Sequence, residues 1–378
     1  MKAKRLIAAL CALCLLCTGL PAGAMAPSEA EQLKIGAGGA VIMDADTTRV
    51  LSAYNAHARL PMASTTKVMT ALLALENSSL DDIVTVPKEA YGTEGSSMYL
   101  NLGEKIRMED LLYGLMLSSG NDAAVTIAIY IGGSVEGFAQ MMNEKAAQLG
   151  CANTHFVTPN GLHDPEHYTS AYDLALIASA AMHNPDFRTI VGTKYWKTTS
   201  GDIVRTLKNK NKILWQYEGG NGIKTGFTKD SGRCLAFSAE RDGHMVVGIV
   251  LDCPDMWNAS TSLLDYAFKN FTWKKFVSAG DTVCIADIQK GMRDGLEMVA
   301  KEDILIPLRE DENDDAVELR VDCPWTLPAP VFAGQAVGSL QAWSDGRLLA
   351  STPLIAAQTV LRKEYPYYLW RMATEWTA

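Results

Sequence analysis

Residues 64–76 constrain the fold most, because they predict a helix with almost no polar face. Between Val68 and Leu75 only Thr70 is polar. A helix that is apolar all round has to be covered on every side by other elements. The sequence therefore predicts a domain with layers on both sides of this helix, and it places Ser64 and Lys67 at the helix N-terminus.

The surrounding patterns predict what those layers are. Residues 40–43 and 50–54 form a hairpin pattern, and strand patterns return at residues 222–228, 233–240 and 245–251. The periodicity between them is mostly helical. We therefore predict an α+β fold, in which a five-stranded antiparallel sheet is flanked by helices and has a helical lobe to one side.

The two ends of the chain differ from this central part. A basic start, an apolar run over residues 6–16 and small residues up to Ala26 predict a secretory signal peptide and an exported protein of the cell envelope. A membrane anchor is the alternative, but the run is shorter than the roughly 18 residues that a span needs. Short β-type runs after residue 275 predict a small all-β domain. The expected divisions are a signal peptide at 1–26, the α+β domain at 27–274, the β-rich domain at 275–364 and an aromatic tail at 365–378.

The tail is rich in amphipathic aromatic residues between Tyr365 and Trp370. Such residues favour a membrane surface, but they could equally pack on the β domain. The formal charge of −9 argues against nucleic acid as a partner, since phosphate binding needs clustered Lys and Arg.

The cysteines do not predict a disulfide framework. Three lie in the predicted signal peptide, and the five that remain are scattered and odd in number. Cys234 and Cys253 stand on strands predicted to pair, so a single bridge between them is conceivable in an oxidising compartment.

Three short motifs carry the chemistry. Each alone arises often by chance, but their order, with the first at a helix start and the third on a strand, is specific for a serine acyl-transfer site. The motifs are Ser64-Thr65-Thr66-Lys67, Ser119-Gly120-Asn121 and Lys224-Thr225-Gly226.

Ser64 and Lys67 are the candidate nucleophile and base. Residues three apart share a helical face, so the Lys67 amine can reach the Ser64 hydroxyl. The amine accepts a proton only if its pKa is low, and burial, the helix N-terminus and a second cation at Lys224 would all lower it. The alternative is that Lys67 is a buried lysine paired with a carboxylate.

The second motif lies between two helical segments, from which side chains can project into a cleft. Ser119 could pass a proton to the leaving amine. Asn121 could hold Lys67 and a substrate amide, and it is also a candidate helix N-cap.

The third motif lies on a strand predicted at the edge of the sheet. An extended peptide can pair with such an edge, Lys224 and Thr225 could bind its terminal carboxylate, and Gly226 lets the backbone approach closely. An oxyanion hole needs two N–H donors, for which the backbone amides of Ser64 and Phe227 are candidates.

Metal hydrolysis is a rival interpretation, because His163 and His167 superficially resemble a ligand pair. Pro165 between them makes the required regular helix improbable. We therefore expect neither a metal nor another cofactor.

These motifs together resemble the low-molecular-mass penicillin-binding proteins of the serine-type D-alanyl-D-alanine carboxypeptidase family, and the later domain resembles their β-rich C-terminal domain. The resemblance implies acylation of Ser64 by the penultimate D-Ala carbonyl of a peptidoglycan pentapeptide, release of D-alanine and deacylation by water. It also implies that β-lactams are covalent inhibitors. Phe227 stands where some members have His, but the proposed contact uses only its backbone N–H. Further similar segments are residues 95–98, 110–114, 119–124, 160–164 and 167–173.

Two other functions are weighed against this one. A serine β-lactamase shares the serine and the lysine, but Gly120 stands where the most similar class has Asp, and no matching glutamate context is found. A non-catalytic cell-wall binding protein could use the same fold, yet all seven defining positions of the motifs are intact: Ser64, Lys67, Ser119, Asn121, Lys224, Thr225 and Gly226.

Overall fold

The computed structural model describes residues 35–344 and 346–376, so the predicted signal peptide at 1–26 lies outside the described residues. In chain order the strands of the first domain are β1 (Gly39–Asp44), β2 (Val50–Tyr54), β3 (Ile83–Thr85), β4 (Lys105–Arg107), β5 (Tyr195–Lys197), β6 (Thr206–Lys208), β7 (Gly220–Thr228), β8 (Gly232–Arg241) and β9 (His244–Leu251). Its helices are α1 (Lys67–Asn77), α2 (Met108–Tyr113), α3 (Asn121–Gly132), α4 (Val135–Gln148), α5 (Ala171–Met182), α6 (Pro185–Gly192), α7 (Ile213–Gln216) and α8 (Met256–Asn270).

A five-stranded antiparallel sheet forms the centre of this domain, with the order β2-β1-β9-β8-β7. The predicted sheet is confirmed, and β7 lies at its edge. Alternation along β1 buries both faces, because successive side chains point to opposite sides. Val41 and Met43 join the core that contains α1, whereas Ala40 and Ile42 join the core that contains α8.

The apolar helix is confirmed, but Ser64 lies just outside it. A 3-10 turn (Ala63–Thr66) precedes α1, which begins at Lys67. The hydroxyls of Thr65 and Thr66 donate to the carbonyl oxygens of Met62 and Ala63, at 2.5 and 2.8 Å. These bonds to residues three positions back hold the chain in the tighter turn.

A helical lobe lies beside the sheet, as predicted. After α2 the chain makes a π-helical turn (Gly114–Ser118), and Ser119 then adopts a left-handed conformation with φ 64°. This residue ends one helical run and redirects the chain into α3.

The second domain is built of strands. They are β10 (Phe271–Val277), β11 (Thr282–Gln289), β12 (Gly295–Ala300), β13 (Ile304–Arg309), β14 (Glu318–Asp322), β15 (Thr326–Pro328), β16 (Ala336–Ser344) and β17 (Arg347–Ala356). Six of them form a sheet in the order β14-β16-β17-β12-β11-β15, in which only β11 and β15 run parallel, and β10 pairs with β13. The predicted all-β domain is therefore confirmed.

Helix α9 (Tyr365–Glu375) ends the described chain. Its aromatic side chains are largely exposed, including Tyr365 at 74% and Trp370 at 65%, so they do not pack into the β domain. Among the described residues we find no helix that is both long enough and apolar enough to span a membrane.

The conceivable bridge between Cys234 and Cys253 is absent, and both residues are free thiols. Cys234 belongs to the core on the α1 face of the sheet, whereas Cys253 belongs to the core on the α8 face. Cys234 lies on β8, as predicted, but Cys253 lies two residues beyond the end of β9, and the two side chains pack on opposite sides of the sheet, where a disulfide cannot join them.

Candidate active site

The Lys67 amine lies at the meeting point of two motifs. It is completely buried, and its Nζ lies within hydrogen-bond distance of Ser64 Oγ at 2.8 Å, Asn121 Oδ1 at 2.7 Å and the Asn160 carbonyl oxygen at 2.7 Å. A neutral amine here donates to the last two and accepts from the Ser64 hydroxyl. The predicted contact between Lys67 and Ser64 is therefore present. The alternative of a carboxylate partner is wrong, since a hydroxyl, an amide and a backbone carbonyl take that place.

Burial lowers the pKa of Lys67 well below its usual value, and the charges of Lys224 and Lys210 lower it further. The nearby carboxylate of Asp122 acts in the opposite direction but does not outweigh them. These effects favour the neutral form of the amine, which is the form that can accept a proton.

Asn121 is the first residue of α3, and its side chain bridges the cleft. Its Nδ2 donates to the Glu94 carbonyl oxygen at 2.6 Å. The alternative role as N-cap is wrong, because Gly120 occupies that position and the Asn121 amide is used by Lys67 and Glu94. Gly95 permits this contact: its φ is +90°, and a Cβ there would lie 2.8 Å from Asn121 Nδ2.

Asp122 fixes the loop that faces the start of α3. Its carboxylate accepts hydrogen bonds from the Ser97 hydroxyl at 2.6 Å and from the backbone amides of Met98 and Leu100, both at 3.0 Å. Ser119 is 5% exposed and lies two residues before Asn121, and its backbone amide donates to the Gly114 carbonyl oxygen.

The third motif lies on edge strand β7 against the turn that carries Ser64. A Cβ on Gly226 would lie 3.0 Å from the Met62 carbonyl oxygen and 3.2 Å from the Ser64 backbone nitrogen, so this approach needs glycine. The Phe227 side chain is 66% exposed and points away from the buried turn. The peptide bond that joins Gly226 to Phe227 therefore lies close to the backbone amide of Ser64.

Lys224 is the second buried cation of the site. It is 2% exposed, and its Nζ donates to the Thr225 carbonyl oxygen at 2.9 Å. Burial and then the charge of Lys210 lower its pKa to about 7. The ammonium and the neutral amine are therefore both populated near neutral pH.

Lys210 was missed by the motif analysis. Its Nζ donates to the Ser118 carbonyl oxygen at 3.0 Å, next to Ser119, and its charge lowers the pKa of both Lys67 and Lys224. No local pattern marks it, because only the folded chain brings residue 210 to the second and third motifs.

His167 was also missed as a support of the nucleophile turn. The backbone amide of Val157 donates to His167 Nδ1 at 2.9 Å, so Nε2 carries the proton and donates to Thr66 Oγ1 at 2.8 Å. Thr66 Oγ1 in turn donates to the Ala63 carbonyl oxygen. This chain of hydrogen bonds holds the turn on which Ser64 lies.

The same contacts argue against the metal interpretation. Both ring nitrogens of His167 are engaged by protein groups, which leaves none for a metal. In residues 35–344 and 346–376 we also find no group of three or more His, Cys, Asp or Glu side chains placed to bind a metal ion.

Comparison with known families gives two matches. Residues 25–255 match the family model described as D-alanyl-D-alanine carboxypeptidase, and residues 271–362 match the model described as penicillin-binding protein 5, C-terminal domain. The D-alanyl-D-alanine carboxypeptidase DacF of Bacillus subtilis is 32% identical over 347 residues, which cover 89% of each chain. The carboxypeptidase DacD of Escherichia coli is 31% identical over 350 residues, covering 88% of this chain and 89% of that one.

Solved structures are similar over the same regions. Penicillin-binding protein 5 of Haemophilus influenzae aligns with a TM-score of 0.68 and 29% identity, covering 90% of this chain and all of that one. A serine-to-alanine mutant of the Streptomyces K15 DD-transpeptidase aligns with a TM-score of 0.59 and 36% identity, covering 62% of this chain and 99% of that one.

Burial lowers the pKa of His167 to about 4, from an ordinary value near 6.5. The unfolded chain therefore binds more protons than the folded chain between these values, and stability is lost as the pH falls through this window. We expect His167 to account for roughly 2.5 kcal/mol of the loss in unfolding free energy between pH 7 and pH 4.5. Urea unfolding of the wild type and of His167→Gln at several pH values measures this difference.

His183→Gln is the matched control. The pKa of His183 is raised, chiefly by its hydrogen bond to Asp46, so its protonation favours the folded chain as the pH falls. In His183→Gln, the unfolding free energy should fall at least as much between pH 7 and pH 4.5 as it does in the wild type. An unchanged pH slope in His167→Gln would contradict the buried neutral imidazole.

Proposed function

This chain belongs to the D-alanyl-D-alanine carboxypeptidase family of serine peptidases, and from that premise we propose that it removes the terminal D-alanine from peptidoglycan pentapeptides through an acyl-enzyme on Ser64. The observation that carries the proposal is the 2.8 Å contact between Ser64 Oγ, which is half-buried, and the Nζ of the completely buried Lys67. A neutral amine at this distance can take the hydroxyl proton as the oxygen attacks.

The proposed reaction uses the motif residues as follows. Ser64 Oγ attacks the carbonyl carbon of the penultimate D-Ala, and Lys67 accepts the Ser64 proton. The backbone amides of Ser64 and Phe227 stabilise the developing oxyanion. The C–N bond then breaks, and a proton reaches the leaving amine through Ser119. Water hydrolyses the resulting ester and regenerates Ser64.

Substrate recognition is assigned to the second and third motifs. Asn121 orients Lys67 and can also bind a substrate amide. Lys224 and Thr225 bind the terminal carboxylate, and the unpaired side of edge strand β7 offers backbone groups to an extended peptide. Gly226 supports this arrangement because it allows β7 to lie against the Ser64 turn.

The proposal includes a place of action. We assign residues 1–26 to a signal peptide that exports the chain to the cell envelope, residues 27–274 to catalysis and residues 275–364 to the β-rich domain. The exposed aromatic side chains of α9 support contact between the 365–378 tail and a membrane surface.

The acyl-enzyme is tested with penicillin. We expect mass spectrometry to find one adduct, located on Ser64, that persists because the protein deacylates slowly. Ser64→Ala should remove the adduct and lower the release of D-alanine from a pentapeptide by at least about 10⁴-fold.

Ser118→Ala is the control, since its hydroxyl has no assigned role and only its carbonyl oxygen accepts from Lys210. Rapid turnover of a chromogenic cephalosporin would favour a β-lactamase instead. A folded wild type with neither adduct nor D-alanine release would favour a non-catalytic wall-binding protein.

The contribution of Lys210 is tested by the pH dependence of kcat/KM for D-alanine release. The acid limb should report protonation of Lys67 and the alkaline limb loss of charge on Lys224. Because Lys210 lowers the pKa of both amines, Lys210→Gln should move both limbs to higher pH and lower kcat/KM at pH 6 by about threefold or more.

Lys212→Gln is the matched control, because the Lys212 amine lies over the Trp257 ring at 5.6 Å instead. Its pH profile should match that of the wild type. A Lys210→Gln profile without a shift would show that this charge does not act on the two buried lysines.

The membrane contact is tested by sedimentation with vesicles of mixed zwitterionic and anionic phospholipid. The chain with its tail should sediment with the vesicles, and a chain ending at Lys363 should stay in solution. Trp370→Ala should weaken binding, whereas Trp325→Ala, which alters an exposed aromatic on the β domain, should not. Equal sedimentation of the full and shortened chains would refute the contact.

A further inference from the structure

Two cysteines of the β domain lie in or just before the parallel strand pair formed by β11 and β15. The pairing of β11 with β15 aligns Asp287 with Thr326, and the backbone amide of Asp287 donates to the Trp325 carbonyl oxygen at 2.9 Å. Both segments run in the same direction, so extending this register three residues back, before β15 begins, would set Cys284 opposite Cys323. Neighbouring strands lie about 4.8 Å apart, which is within the range of Cα separations that a disulfide spans.

The side chains agree with this placement. Cys284 and Cys323 are both half-buried and pack against the same hydrophobic core of the second domain. Burial, and then the neighbouring Cys284 thiol, which is its hydrogen-bond partner, raise the pKa of Cys323. The Cys284 and Cys323 thiols are therefore close enough to interact electrostatically.

We propose that Cys284 and Cys323 form a disulfide when the chain meets an oxidising extracytoplasmic compartment. The inference rests on export, which is part of the proposed function. The two thiols lose two protons and two electrons and form one S–S bond. A disulfide-bearing oxidant accepts them, its own S–S bond breaks, and it leaves as two thiols.

The other cysteines after the predicted signal peptide do not compete for this bridge. Burial raises the pKa of Cys234 and of Cys253 to about 11, and these two face opposite sides of the central sheet. Burial also raises the pKa of Cys151, which packs against the core of the first domain. All three pack in the cores of the first domain, whereas Cys284 and Cys323 pack against the core of the second.

The bridge would join distant parts of the β sheet. Strands β14 and β15 occupy opposite edges of that sheet, and Cys323 follows β14 directly. A bond to Cys284 on β11 ties the end of one edge strand to the strand next to the other edge. It also closes a loop that contains β12, β13 and β14, and so restricts the unfolded chain.

The test uses purified residues 27–378, equilibrated with oxidised glutathione in excess over reduced glutathione. We expect three alkylatable thiols after unfolding instead of five, and a single linked peptide pair that contains Cys284 and Cys323. The oxidised protein should have a thermal midpoint at least about 3 °C higher than the reduced protein if the β domain unfolds with the rest.

Cys284→Ser and Cys323→Ser should each abolish the linked pair and the response of the midpoint to reductant, while Cys151→Ser should keep both. Five free thiols in the oxidised wild type, or a bridge between another pair, would overturn the inference. D-alanine release is measured on the same samples. An absence of D-alanine release would contradict the proposed function, and cell fractionation that finds the chain in the cytoplasm would contradict export. Both results are independent of the thiol count and peptide mapping that report the bridge.

Discussion

The buried contact between Lys67 and Ser64 is the constraint on which the rest of the first domain depends. An amine can accept a proton near neutral pH only if its charged form is disfavoured, and here burial and two other lysines disfavour it. The all-apolar helix α1 supplies the burial. The sheet on one side and the helical lobe on the other are then needed to cover that helix, so the layers of the domain follow from the same requirement.

The sequence predicted the features that have a local signal. Short apolar runs bounded by turn residues marked β1 and β9, and motif spacing placed Lys67 within reach of Ser64. The 3-10 turn, the left-handed Ser119 and the contact between His167 and Thr66 had no such signal. The last of these joins residues 101 positions apart, and only the packed chain determines it.

Two wrong interpretations have one physical origin. Cys234 and Cys253 were predicted to lie on paired strands, but Cys253 lies beyond the end of β9, and packing sends the two side chains to opposite faces of the sheet. Asn121 stands where a helix cap is common, yet a distant lysine uses its side chain. In both cases long-range packing, not the local pattern, decided the partner.

The catalytic arrangement is costly to the fold. A lysine whose pKa falls from about 10.5 to about 7 binds fewer protons when folded, which costs about 4 kcal/mol of stability at pH 7. Lys67 adds a further cost of the same sign. The fully satisfied carboxylate of Asp122 and the hydrogen bonds of His167 lie directly beside these lysines. These hydrogen bonds stabilise the fold where the buried lysines destabilise it. They also prevent the turn from relaxing, so water does not reach the two buried amines.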